Sequence, residues 1–209
     1  MNRLFDNKIV DGIAKIADLI LITLYFALTC LPVVTIGAAM TSLYYVIHKS
    51  FFRGRGYTTE YFKAFKSNFK QSTVSWLIYI ILFGILSMDV YITRHLPADS
   101  VFAAAPYFFM VLIVLTAMWA IYHFAYIARF ENDLKQIFKN SAIIMIANLG
   151  WTVVMLAIVL GIAYLAYRYP LTTLFAPVVL VICLHPILEK IFHKYMSEED
   201  KAKEEEQLD

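Results

Sequence analysis

Apolar residues run along this chain in long, nearly unbroken blocks, unlike the one-sided stripe of a helix packed on a water-soluble core. The blocks fall at 16–31, 33–47, 74–92, 102–128, 142–167 and 171–188. Most approach the roughly 20 residues that a helix needs to cross a bilayer. The second is short, which predicts a span that is tilted or partly buried behind its neighbours. Pro32, Pro97, Pro106 and Pro170 fall at or beside the expected turns, where a missing N–H is harmless. Pro177 and Pro186 fall inside the last block and predict a kink there.

Two stretches keep a one-sided pattern instead. Phe62, Phe65 and Phe69 recur at helical spacing beside a stripe of Lys63, Lys66 and Lys70. Leu134, Ile137 and Phe138 repeat the apolar face, with Lys135 and Lys139 beside it. Each stretch precedes a Trp-bearing apolar block. The pattern predicts two cytoplasmic interfacial amphipathic helices, with apolar faces toward lipid and ammonium groups at the headgroups. They are either docking surfaces for a partner or anchors that orient the next span. The parallel between them suggests two related three-helix halves.

Composition turns this pattern into a membrane reading. The chain of 209 residues is 61% hydrophobic and only 16% charged, with a mean hydropathy of +0.66. A soluble domain carries about 25% charged residues, so too little charge is present to cover a water-facing surface. Charge placement sets direction, because cytoplasmic loops carry excess Lys and Arg. Arg3, Lys8 and Lys15 put the N-terminus inside, and Arg53, Arg55, Lys63, Lys66 and Lys70 put the loop after the second block inside. Two inside flanks need an even number of crossings between them, so the chain must turn near Pro32. Arg129, Lys135, Lys139, Lys190 and Lys194 mark the later inside flanks.

The expected fold is therefore an all-α, polytopic transmembrane helix bundle of about six spans over residues 1–195, with both termini cytoplasmic. Residues 196–209 hold seven acidic residues against two lysines and predict a solvated acidic cytoplasmic tail. The opening segment lacks the pattern of a cleavable leader, so the first span is expected to serve as its own insertion signal.

Candidate chemistry is sparse. Lys15 with Asp18, then Asp89, Arg94 and His95, then Glu189 and Lys190 sit near block ends and read as interface anchors. His123 and His185 read as hydrogen-bonded packing residues, and Cys30 and Cys183 as small buried hydrophobes. No HExxH, paired-cysteine or phosphate-cradling motif occurs, and RGRG at 53–56 reads as a turn. No enzyme activity, cofactor or metal is expected. Gly37, Ala38, Thr41 and Ser42, followed by Tyr45, form a small-residue stripe suited to close helix approach, either within the first hairpin or at a subunit interface.

The segments LPVVTIGAAMTSLYYV and FFRGRGYTTEYFKAFKSNFKQST resemble the signature region of the YesL family of bacterial membrane proteins. That resemblance implies the cell membrane and a setting beside carbohydrate ABC importers and sugar-responsive sensors. The implied function is an accessory subunit whose partners are importer permeases with their ATPase and solute-binding protein. Alternatives are an adaptor for a membrane histidine kinase and an autonomous small-solute transporter. Lipid is an expected partner and nucleic acid is not.

Overall fold

The computed structural model describes residues 2–51, 57–97, 103–196 and 198, with the side chains of 2–15, 50, 51 and 57 left aside. The RGRG turn at 53–56, the basic side chains before residue 16 and nearly all of the acidic tail therefore lie outside the described residues. Every described element is helical. They are α1 (Asn2–Cys30), a 3-10 turn (Val33–Thr35), α2 (Ile36–Val46), a π-turn (Ile47–Phe51) and α3 (Tyr57–Arg94). There follow α4 (Ala105–Arg129), α5 (Leu134–Ala147), α6 (Leu149–Arg168), a 3-10 turn (Pro170–Leu174) and α7 (Ala176–Tyr195). Four of them, α3, α4, α6 and α7, are long and apolar enough to cross a membrane, which marks the chain as a membrane protein.

Element boundaries depart from the hydropathy blocks in three ways. The Phe-Lys stretch and the third block form one helix, α3, whose 38 residues span about 57 Å at 1.5 Å per residue. The polar residues from Gln71 to Thr73 continue the helical ladder, so the expected separate interfacial helix is absent there. Conversely, the fifth block is broken at Asn148, whose backbone (φ −123°, ψ 39°) leaves the helical region. Its side-chain amide donates to Ile144 O (2.8 Å) and to the Tyr195 hydroxyl (3.1 Å), so the break is stitched rather than frayed. The two Phe-Lys segments thus adopt different structures. In α7, Pro177 occupies the first turn and only Pro186 is interior.

The α1–α2 hairpin turns well short of the α3–α4 connection. Trp76 Nε1 donates to Val33 O at 2.7 Å, and Gly37 lies against Ser72, Trp76 and Phe124. Beyond that level, residues 76–94 of α3 rise about 27 Å further, roughly one hydrocarbon thickness. Residues 105–124 of α4 run a similar distance beyond it. The carbonyls of the turn are satisfied by side chains: Thr35 Oγ1 donates to Thr29 O (2.6 Å) and Pro32 O (2.7 Å). Such pairing is what irregular backbone needs away from water.

The core gathers where α2 passes between α3, α4 and α7. Tyr79, Met118, Tyr122, His123, Ile137, Met155, Leu188 and Phe192 are fully or almost fully buried. Residues 122–127 of α4 are buried on every side, whereas α6 buries only Thr152 and Met155 and shows the rest of its apolar surface outward.

Candidate functional site

Three helix C-terminal ends converge at one end of the bundle. Past the end of α2, the π-turn widens the helix and carries His48 toward α7; a π-bulge often marks a functional position. On α7, His185 and Glu189 are four residues apart and share a face. Arg129 is the last residue of α4.

The Glu189 carboxylate is the hub. Its Oε1 accepts from the Tyr44 hydroxyl at 2.7 Å and lies 3.3 Å from His48 Nδ1 and 3.9 Å from His185 Nε2. Its Oε2 meets the Arg129 guanidinium at 3.1 Å. His48 Nδ1 and His185 Nε2 are 3.0 Å apart, with the rings 5.2 Å between centroids. His48 and His185 are buried, and the side chain of Glu189 retains 19% exposure. Arg129 balances the carboxylate charge, which burial would otherwise disfavour. The cluster ties α2, α4 and α7 together, and it brings two imidazoles and a carboxylate oxygen to one point, a donor set suited to a proton or a borderline metal ion.

A second polar group joins α2 to α3. Lys49 Nζ donates to Glu60 Oε2 (3.0 Å) and to the Tyr45 hydroxyl (3.1 Å). The Tyr45 hydroxyl and the Glu60 carboxylate raise the Lys49 pKa above its ordinary value. Deeper in the bundle, Ser141 Oγ accepts from Trp119 Nε1 (3.0 Å) and lies 3.4 Å from His123 Nδ1, so His123 sits in an aromatic packing shell.

A family model described as "Protein of unknown function, DUF624" matches residues 17–90. That stretch contains α2, His48 and the Gly37 contact, but not Arg129, His185 or Glu189. No curated protein and no solved structure matches the chain.

The sequence-derived candidates fall elsewhere. Gly37, Ala38, Thr41 and Ser42 are buried within the chain, where Thr41 Oγ1 and Ser72 Oγ share a 2.9 Å hydrogen bond, and Tyr45 is half-buried. On α5, Ile137 is buried in the core and Phe138 packs half-buried against it, while Leu134 is half-buried. Phe62 and Phe69 stay exposed alongside Lys63, Lys66 and Lys70, while Phe65 is half-buried. Both cysteines are free thiols; Cys183 faces outward rather than inward.

Sequence reading missed the cluster itself. His48, Arg129 and Glu189 each resemble an ordinary span-end anchor. The available signal was His185 and Glu189 at helical i, i+4 spacing, two of the three convergent donors, the third of which, His48, lies far away in sequence.

Proposed function

We propose that this chain is a bacterial cell-membrane subunit that crosses the bilayer four times, at α3, α4, α6 and α7, with both termini cytoplasmic. The α1–α2 hairpin turns back at the cytoplasmic side without crossing. This replaces the six-crossing expectation, and the parity of the basic flanks is kept. The low position of the Val33 turn against Trp76 supports it, as does the gathering of the α2, α4 and α7 ends beside Arg129, Lys190 and Lys194. Lys190 also lies over the Trp151 ring at 4.9 Å, an arrangement typical of an interface.

In that membrane the chain serves as an accessory subunit of a carbohydrate ABC importer, contributing to its assembly or regulation. The observation that carries this reading, beside the family resemblance, is the filled centre. The hairpin is wedged between α3, α4 and α7 so tightly that a Cβ at Gly37 would force its neighbours to shift, and the half-buried Arg129 and Glu189 pair with one another. That packing favours a role in assembly with other subunits over a passage through this chain alone.

The test is deletion of the gene in cells whose importer is expressed from a constitutive promoter. Uptake of labelled sugar falls if the chain is an importer subunit. Intact uptake with lost induction would instead make it a sensor adaptor, and sugar flux through liposomes holding only this protein would make it a transporter.

A further inference from the structure

We infer that His48, His185 and Glu189 form a Zn²⁺ site at the base of the bundle. The inference stands apart from the importer reading, because it rests on the donor geometry alone.

The three donor atoms form a triangle with sides of 3.0, 3.3 and 3.9 Å. The point equidistant from its corners lies about 2.0 Å from each, matching the roughly 2.0–2.1 Å expected for zinc–nitrogen and zinc–carboxylate bonds. An ion about 0.6 Å out of that plane stands about 2.1 Å from all three donors, in the pyramidal arrangement of three tetrahedral corners, without any of them moving apart. Edges of this size also match a tetrahedral shell, in which ligands at such bond lengths stand roughly 3.3 Å from one another.

The chemistry agrees with the geometry. Two imidazoles and one carboxylate are a borderline donor set that suits zinc better than magnesium or calcium, which prefer oxygen. The carboxylate is oriented from behind: Tyr44 donates to the oxygen that faces the histidines, and Arg129 holds the other. Outer partners of this kind fix ligand orientation in metal sites. Arg129 binds Oε2 rather than Oε1, the oxygen nearest the histidines, and offsets part of the attraction for a cation.

The ligands come from two separate elements, the π-turn after α2 and the face of α7. Zinc would therefore fasten the hairpin to the last helix. Among the described residues three donors converge, and the partial exposure of Glu189 lets a fourth ligand reach the ion.

The full chain is purified in mild detergent with a non-histidine affinity tag, stripped with a chelator and titrated with Zn²⁺ by calorimetry. One ion per chain is expected, and Co²⁺ in its place should give the intense visible bands of a four-coordinate site. Tyr44→Phe, which removes only an orienting hydroxyl, lowers affinity about tenfold, and His185→Gln and Glu189→Gln lower it further. His95→Gln, at the opposite end, leaves it unchanged. Substoichiometric binding, or binding that survives His185→Gln, overturns the site and leaves a hydrogen-bonded latch. If His185→Gln does not fold, X-ray absorption of the zinc-loaded native protein decides: imidazole scattering is required, and a shell of oxygen alone refutes the assignment.

Discussion

Gly37→Ala is the sharpest perturbation of the hairpin. A Cβ at this position would stand 2.5 Å from the Ser72 carbonyl oxygen, 2.6 Å from Trp76 Cβ and 3.0 Å from Phe124 Cε1. The first two contacts are closer than real Cβ atoms tolerate, and the nearest involves backbone that cannot rotate away. Overpacking costs about 1–3 kcal/mol, with rigid contacts toward the upper end. Alanine recovers about 1 kcal/mol of helix propensity. The net loss is about 2 kcal/mol, near a 30-fold change in the folding equilibrium. For a chain of this size, that lowers the melting temperature by about 4–8 °C. Thermal unfolding in detergent, followed by size-exclusion of the surviving fraction, reads this directly. Gly84→Ala and Gly161→Ala supply internal controls, because a Cβ at either meets nothing within 4 Å. They should be neutral or stabilising by up to about 1 kcal/mol. A Gly37→Ala protein as stable as these controls would refute the close approach of α2 to α3.

Other outcomes follow from the same contacts. With zinc chelated, Glu189→Gln should cost about 2–4 kcal/mol, somewhat discounted from a fully buried pair because the carboxylate keeps partial exposure. Adding Arg129→Met should cost less than the two single changes summed, as measured by denaturant unfolding. Tyr61→Phe removes the 2.7 Å hydroxyl contact to Thr29 and should cost about 1 kcal/mol in the same assay. In cells whose protein lacks Cys30 and Cys183, Thr172→Cys should react with an impermeant maleimide added outside, and Leu31→Cys should not. Equal labelling of both would restore a first hairpin that crosses the membrane.

Helices were legible in the sequence wherever length and composition spoke together. The blocks behind α4 and α6–α7 are apolar enough that lipid or a core is the only economical surrounding. Depth was not legible. The segment around Pro32 has the hydropathy of an outer turn, but a helix's height is set by what it packs against, here Trp76 and Phe124 from distant parts of the chain. The continuity of α3 was hidden because its Lys-rich and apolar halves differ in character while sharing one backbone ladder. The break at Asn148 depends on a partner, Tyr195, that lies 47 residues away. The small-residue stripe is visible in the sequence, but the residues that lie against it, Ser72 and Trp76 of α3 and Phe124 of α4, come from distant parts of the chain. The Glu189 cluster draws on α2, α4 and α7 at once, so no window of sequence contains it.

The importer reading meets its most direct test in co-purification. The tagged chain is isolated in mild detergent from sugar-grown cells and its complexes are identified and quantified by mass spectrometry. Permease and ATPase subunits of one carbohydrate importer should appear in fixed ratio with it, and a tagged permease should return this chain in the same ratio. Recovery of the chain by itself from those membranes, in both directions of capture, would contradict the account.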